Sequence, residues 1–299
     1  MHSSAVHTTG FVGQLTRKLA DYAMLTKIRL SGLVVFSAVI GYIFSGVGIQ
    51  VLPLLLLTLG GMLVTASSNA LNQILEKDTD AKMPRTQNRP LPTGRMLTLE
   101  AVIAAGVMGV AGIAVLSFYF NALAGVLSAL SLLSYAFVYT PLKRITPLAV
   151  FIGAFPGAFP VLIGYVCATG MIDYQAMILF SVQFLWQFPH FWAIAWVSFE
   201  DYLKGGFMLL PSSSGKSRAS ALQCFIYCTF LLIVSMMPYF LGMMHMAGAA
   251  VVFVSGCLFL FLSYQLYRTV SSQAARLLMF GSFIYLPVVQ LAFILSKIN

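Results

Sequence analysis

Acidic side chains are scarce in this sequence: eight Asp and Glu among 299 residues, with all charged residues together at 8%. A solvated globular surface draws on roughly a quarter charged residues, so a soluble domain is excluded. Cysteine is scarcer still. Cys167, Cys224, Cys228 and Cys257 all lie in apolar stretches, and no His or carboxylate joins Cys224 and Cys228 in their stretch to complete a metal set. They read as small packing residues. The first 28 residues lack the compact apolar core and small-residue cleavage site of a secretory signal. The net charge of +9 sits in segments flanking apolar runs, which excludes a nucleic-acid surface.

What is present is hydrocarbon, at 60% apolar residues. A helix crossing a bilayer core of roughly 30 Å needs about 20 mostly apolar residues. Nine stretches qualify: about 30–48, 51–75, 98–118, 121–139, 147–168, 174–198, 219–242, 246–267 and 276–296. The expected fold is an all-α membrane protein, one polytopic domain over 1–299 with an N-terminal segment at 1–28. Residues 11–29 mix apolar and basic positions and predict an interfacial helix. Of the 17 Lys and Arg residues, 16 fall in the N-terminal segment or in connections that follow an even-numbered span; only Lys297 lies opposite. The asymmetry predicts a cytoplasmic N-terminus and a C-terminus on the other side.

Two of these connections differ from the rest. Residues 76–97 and 199–218 form the longest ones, and they carry Glu76, Asp78, Asp80, Glu200 and Asp201, acids that topology alone does not require. Each follows an even span, four spans apart. That layout predicts a repeated four-helix unit with one polar loop from each copy at a shared site. In the fifth span, "GAFPGAFP" at 153–160 suits either a kinked cavity wall or close helix packing.

Asn72, Glu76 and Asp80 follow one another at four-residue steps, so a helix continuing to Asp80 lines them on one face, with Asn69 a turn earlier. Such a column of oxygen donors suits Mg²⁺, which keeps several waters and is completed by substrate phosphates. Lys77, Lys82, Arg85, Arg89 and Arg95 follow closely, and the prolines and glycine of "NRPLPTGR" from Asn88 to Arg95 hold the last arginines in a rigid turn. The Arg fork pairs with phosphate oxygens. Acids for a metal and arginines for phosphate imply a diphosphate whose other end is lipid.

Asn72-x3-Glu76-x3-Asp80 followed by "RTQNRPLPTGR" resembles the first signature of the UbiA-type intramembrane prenyltransferases, and "YTPLKR" at 139–144 resembles a second element. "WQFPHFWAIAWVSFEDYLKGGFMLLP", Trp186 to Pro211, is similar to the branch of that family that farnesylates protohaem IX. The resemblance covers essentially the whole chain. It implies transfer of the farnesyl group of farnesyl diphosphate to a vinyl group of protohaem IX (haem b, a substrate), with Mg²⁺ held by Asn72, Glu76 and Asp80. Asp80, Arg89, Lys143, His190 and Asp201 are implied as catalytic; Asn69, Arg85, Asn88, Arg144 and Lys204 as substrate-binding. Implied partners are the lipid bilayer and a haem A synthase or terminal oxidase assembly, with no nucleic acid.

The chain departs from the family pattern at Glu76, where the first motif usually has Asp, and at Val197, four residues before Asp201, where a second Asp is usual. His190 has two implied roles, an axial ligand to the haem iron or a base or water-positioning group near the reacting vinyl; unaided by the resemblance, it reads first as an interhelical hydrogen-bonding group. Trp186, Phe188, Phe191, Trp192, Trp196, Phe199 and Tyr202 suit packing, interfacial anchoring or stabilisation of an allylic cation. His245 reads as a surface position in an outer loop, as do His2 and His7 in the N-terminal segment. Two rivals remain: a UbiA-type enzyme with an aromatic acceptor such as hydroxybenzoate or a quinone precursor, and a secondary transporter for an anionic lipid or metabolite.

Overall fold

In the computed structural model, residues 10–298 are described, which leaves His2 and His7 outside. The chain starts with α1 (Phe11–Thr26), which turns at Lys27 into α2 (Ile28–Phe44), and α3 (Val51–Leu75) leads into the short α4 (Lys77–Asp80). Next come α5 (Thr98–Val115) with a π-helical end at Leu116–Phe120, and α6 (Ala122–Leu133) with a second π stretch at Ser134–Tyr139 that runs into α7 (Thr140–Leu142). The second half holds α8 (Ala149–Thr169), α9 (Tyr174–Val197), α10 (Phe199–Lys204), α11 (Arg218–Phe240), α12 (Met246–Thr269) and α13 (Ser272–Leu295).

Side chains outside the apolar runs set where several helices begin. Asn121, Asp173, Ser217 and Ser271 each accept a hydrogen bond from the backbone N–H three residues on, satisfying donors that the first turn leaves free. α8 stops at Gly170, whose φ of +75° reverses the chain.

Each of the nine expected spans finds a helix, within a few residues. Seven are long and apolar enough to cross a bilayer unaided, and α1 with α2 passes as a pair bent by 48°. α9 is 24 residues long but carries Gln175, Gln183, Gln187 and His190. It packs against α8, α11 and α13, so its amides bond inside the protein: Gln183 and Gln187 donate to the Gly157 and Ala154 carbonyls at 2.9 and 2.8 Å.

The neighbour pattern repeats. The successive pairs α2–α3, α3–α5, α5–α6 and α6–α8 in the first half are matched by α8–α9, α9–α11, α11–α12 and α12–α13 in the second. The halves meet where α2 crosses α8. A Cβ at Gly41 or Gly164 would run into the opposing backbone at Val161 or Ala38, so glycine is what allows that contact.

Close packing also accounts for "GAFPGAFP". α8 runs unbroken through it, Gly153 makes room for the Tyr139 ring, and Gly157 makes room for Gln187. Pro160 leaves the Pro156 carbonyl without its helical donor, and Ser131 Oγ supplies one at 3.2 Å.

Candidate active site

Charge gathers at one end of the bundle, where α3 meets α4. Glu76 interrupts the helix at φ −101°, yet its N–H reaches Asn72 O at 3.0 Å and the Asp80 N–H reaches Glu76 O at 2.7 Å. The four-residue register therefore survives the break, and Asn72, Glu76 and Asp80 lie along one face, all nearly fully buried.

Buried carboxylates require partners. Glu76 Oε1 pairs with Lys143 Nζ at 2.5 Å, and its Oε2 accepts from Asn72 Nδ2 at 2.9 Å. Asp80 Oδ2 accepts from Arg89 Nη1 at 2.6 Å. Burial pushes the Asp80 carboxyl above the usual carboxylate range, and Arg89 pulls it back. Asn72 Nδ2 also donates to Thr140 Oγ1 at 3.2 Å. The loop that carries Arg89 is tied down at both ends. Thr86 Oγ1 donates to Asp80 O at 2.9 Å, and Arg95 bridges Asp21 of α1 and Asn88 O at 3.0 and 2.9 Å.

Lys27 is a member of this cluster that sequence reasoning read only as a flanking positive charge. It holds the α1–α2 turn at φ +47°, ψ +52°, an unusual conformation for a residue with a side chain, and its Nζ donates to Asn72 Oδ1 at 3.2 Å. Burial, then the Arg89 and Lys143 charges, lower its pKa to about 7. Nothing in the spacing links it to Asn72, 45 positions away. Asn69, expected beside the substrate, instead turns its amide to Thr26 O and Ser31 Oγ at 3.3 and 3.2 Å and braces that turn.

The second polar loop covers the first. Lys143 Nζ lies 5.1 Å from the centroids of both Tyr139 and Phe207, Met208 N–H donates to Lys143 O at 3.0 Å, and the Arg85 guanidinium sits 5.0 Å from the Tyr202 ring. Arg85, Asn88, Arg144 and Lys204 are exposed, and Asp201 is half-buried with no ion-pair partner among the described residues. Glu200 faces Lys216 at 3.8 Å.

His190 is not part of the cluster. It lies on α9 against α13, stacked on Trp186 with centroids 4.3 Å apart, with Nδ1 2.7 Å from Ser282 Oγ. Phe188 and Trp192 pack against Tyr227 of α11, and the buried indole N–H groups of Trp192 and Trp196 have no acceptor among the described residues.

Among the described residues no three His, Cys, Asp or Glu side chains converge, so an all-protein cage for a transition metal is not built here. Two carboxylates and an amide oxygen on successive turns do fit Mg²⁺, which takes few protein ligands and completes its shell with water and phosphate.

The sequence profile of the UbiA prenyltransferase family matches residues 34–286. A protein of Cytophaga hutchinsonii named protoheme IX farnesyltransferase is 46% identical over 93% of this chain and 97% of its own length. One of the same name from Christiangramia forsetii is 41% identical over 93% and 94%. Among solved structures, a digeranylgeranylglyceryl phosphate synthase aligns over 94% of this chain and 98% of its own, with TM-score 0.79 and 22% identity. A UbiA homologue from Archaeoglobus fulgidus bound to GPP and Mg²⁺ aligns over 91% and 99%, with TM-score 0.67 and 14% identity. Two independent likenesses, in sequence across the bundle and in backbone from end to end, converge on one assignment: the chain belongs to the UbiA prenyltransferase family.

Proposed function

We propose that this chain transfers the farnesyl group of farnesyl diphosphate to a vinyl group of protohaem IX, giving haem O and releasing diphosphate. The observation that carries the reading is the pair of relatives named for that activity, 46% and 41% identical over 93% of this chain. The buried acid–base cluster supports the donor half of the reaction, and the likeness of Trp186 to Pro211 to the protohaem branch supports the acceptor half.

Asn72, Glu76 and Asp80 would hold Mg²⁺, which when bound supplies positive charge against that of the diphosphate. Arg89, Lys143 and Lys27 donate to the diphosphate oxygens as the allylic C1–O bond breaks, stabilising charge that develops in the transition state. Arg85, Asn88, Arg144, Asp201 and Lys204 form the polar rim that admits the donor, and Asn69 acts through the turn that carries Lys27. The vinyl group attacks C1, forming the carbon–carbon bond. Water then captures the resulting cation, adding hydroxyl and releasing one proton. Tyr139 and Phe207, whose rings both lie 5.1 Å from Lys143 Nζ, keep water from the allylic cation until that step. The mouth faces the cytoplasm, with the N-terminus on that side and the C-terminus opposite, a reading supported by 16 of 17 basic residues. A haem A synthase or terminal oxidase assembly would take up the product.

The test is the mass of the haem recovered after incubating purified protein with farnesyl diphosphate, Mg²⁺ and haem. A hydroxyethylfarnesyl addition is expected. Unmodified haem, together with prenylation of hydroxybenzoate offered in parallel, would overturn the assignment.

A further inference from the structure

Lys27 interrupts what would otherwise be one continuous helix. Across it α1 and α2 bend by 48°, and Lys27 itself takes φ +47° and ψ +52°. Glycines hold positive φ at seven other described positions, where no Cβ opposes it; among the described residues only Val270 shares the exception made at Lys27.

In an unbroken helix the N–H groups of Ile28, Arg29 and Leu30 would take the carbonyls of Met24, Leu25 and Thr26. The bend frees those three carbonyls beside the fully buried Leu25, and the Lys27 N–H gives Met24 O only a long 3.4 Å bond. Side chains of α3 replace the lost donors. Gln73 Nε2 donates to Met24 O at 2.9 Å and to Leu25 O at 2.8 Å, and Asn69 Nδ2 donates to Thr26 O at 3.3 Å. Ser31 Oγ also reaches Thr26 O at 2.9 Å. Both Nε2 protons of Gln73 are thus committed, and its buried Oε1 has no partner among the described residues. The reversed amide would set that oxygen against two carbonyl oxygens, so the acceptors fix its orientation. A fully buried amide that leaves its own oxygen unpaired is explained by the break it fills.

Asn69 and Gln73 stand four residues apart on α3, beside the column of Asn72, Glu76 and Asp80. One column faces the acid–base cluster and the other faces the break. They meet at Lys27, whose Nζ donates to Asn72 Oδ1 at 3.2 Å. A stitch between α1 and α3 needs a donor at any one carbonyl. Here two side chains fill the three successive carbonyls that helical N–H groups would reclaim if the chain straightened, and straightening would redirect the Lys27 Cα–Cβ bond.

We propose that Gln73 and Asn69 are positioning residues that hold the α1–α2 break open, so that Lys27 presents its ammonium to the diphosphate oxygens beside Asn72. The inference rests on the donor half of the functional reading and is independent of the acceptor.

The test is titration of farnesyl diphosphate, with Mg²⁺, into detergent-purified variants, with Tm read on the same samples. Lys27→Gly should bind about tenfold more weakly, the loss of one charge-assisted hydrogen bond. Its Tm should stay level or rise, since glycine suits the turn and a buried charge is removed. Gln73→Met should bind about fivefold more weakly and melt lower, as two buried carbonyls lose their donor. Introduced into Lys27→Gly, Gln73→Met should still lower Tm but should no longer change affinity, because the group it acts through is gone. Asn69→Leu should follow the same pattern and replaces Gln73→Met if that variant does not fold. Equal affinity losses in the two backgrounds, or wild-type affinity in the single variants of Gln73 and Asn69, would overturn the inference. Absence of Mg²⁺-dependent binding in wild type would instead overturn the donor reading, and the inference with it.

Discussion

Two columns built on the same four-residue step lie in the two halves of the bundle. One reads Asn72–Glu76–Asp80; the other reads Ala193–Val197–Asp201. In the first, both carboxylates are buried and paired with Lys143 and Arg89. In the second, Ala193 is fully buried as packing, and Asp201 is half-buried without an ion-pair partner among the described residues. The second loop contributes rings instead, Tyr202 against Arg85 and Phe207 against Lys143. A repeated architecture has not repeated its chemistry: one copy carries charge, and the other covers it.

The sharpest way to break that contrast is to neutralise each column in turn. Asp80→Asn and Glu76→Gln should each lower turnover about a thousandfold, the scale of losing a group that stabilises transition-state charge, whereas Asp201→Asn should cost about tenfold or less. Equal losses measured on the two sides would restore two metal-binding halves. Lys143→Met leaves Glu76 buried without its ion-pair partner. Breaking such a pair costs about 3–5 kcal/mol, so a clear fall in Tm should accompany a loss of activity, while Lys204→Met in the second loop should leave Tm unchanged.

Lys27 gives a test in pH. With its pKa lowered to about 7, it loses its charge in the folded protein as pH rises past 7, while the unfolded chain keeps the charge to near 10.5. The burial penalty is therefore fully present below 7 and fades toward 10.5, so this residue makes stability rise with pH across that window. Diphosphate affinity should move the other way, falling about tenfold above pH 7 as one charge-assisted hydrogen bond is lost. Lys27→Arg should flatten that fall, as read by donor titrations at a series of pH values.

The smallest effect belongs to the contact between the two loops. Arg85→Ala and Tyr202→Ala should each raise the KM for farnesyl diphosphate by roughly two- to fivefold, the worth of an exposed cation–π pair. The double variant should be no worse than Arg85→Ala; full additivity would mean the loops act separately.

Much of this was legible in the sequence. Apolar length located every long helix, and the four-residue step located Asn72, Glu76 and Asp80 because the register depends only on local backbone bonds. Lys143 and Arg89 were legible as bases near phosphate, but not as the carboxylates' partners. Lys27 was hidden because it reaches Asn72 only through the fold of α1 on α3, and a basic residue before a span already has a topological explanation. Asn69 was misleading for the complementary reason: one turn before the column, its side chain faces the α1–α2 turn. The partnership of His190 with Ser282, 92 positions apart, could not be read from any local pattern.

The most direct test of the contrast between the columns is the Mg²⁺-dependent affinity for farnesyl diphosphate, measured by titration on Asp80→Asn and Asp201→Asn side by side. The account predicts that Asp80→Asn loses the Mg²⁺ enhancement and Asp201→Asn keeps it. Retention of the enhancement in Asp80→Asn, or its loss in Asp201→Asn alone, would contradict it.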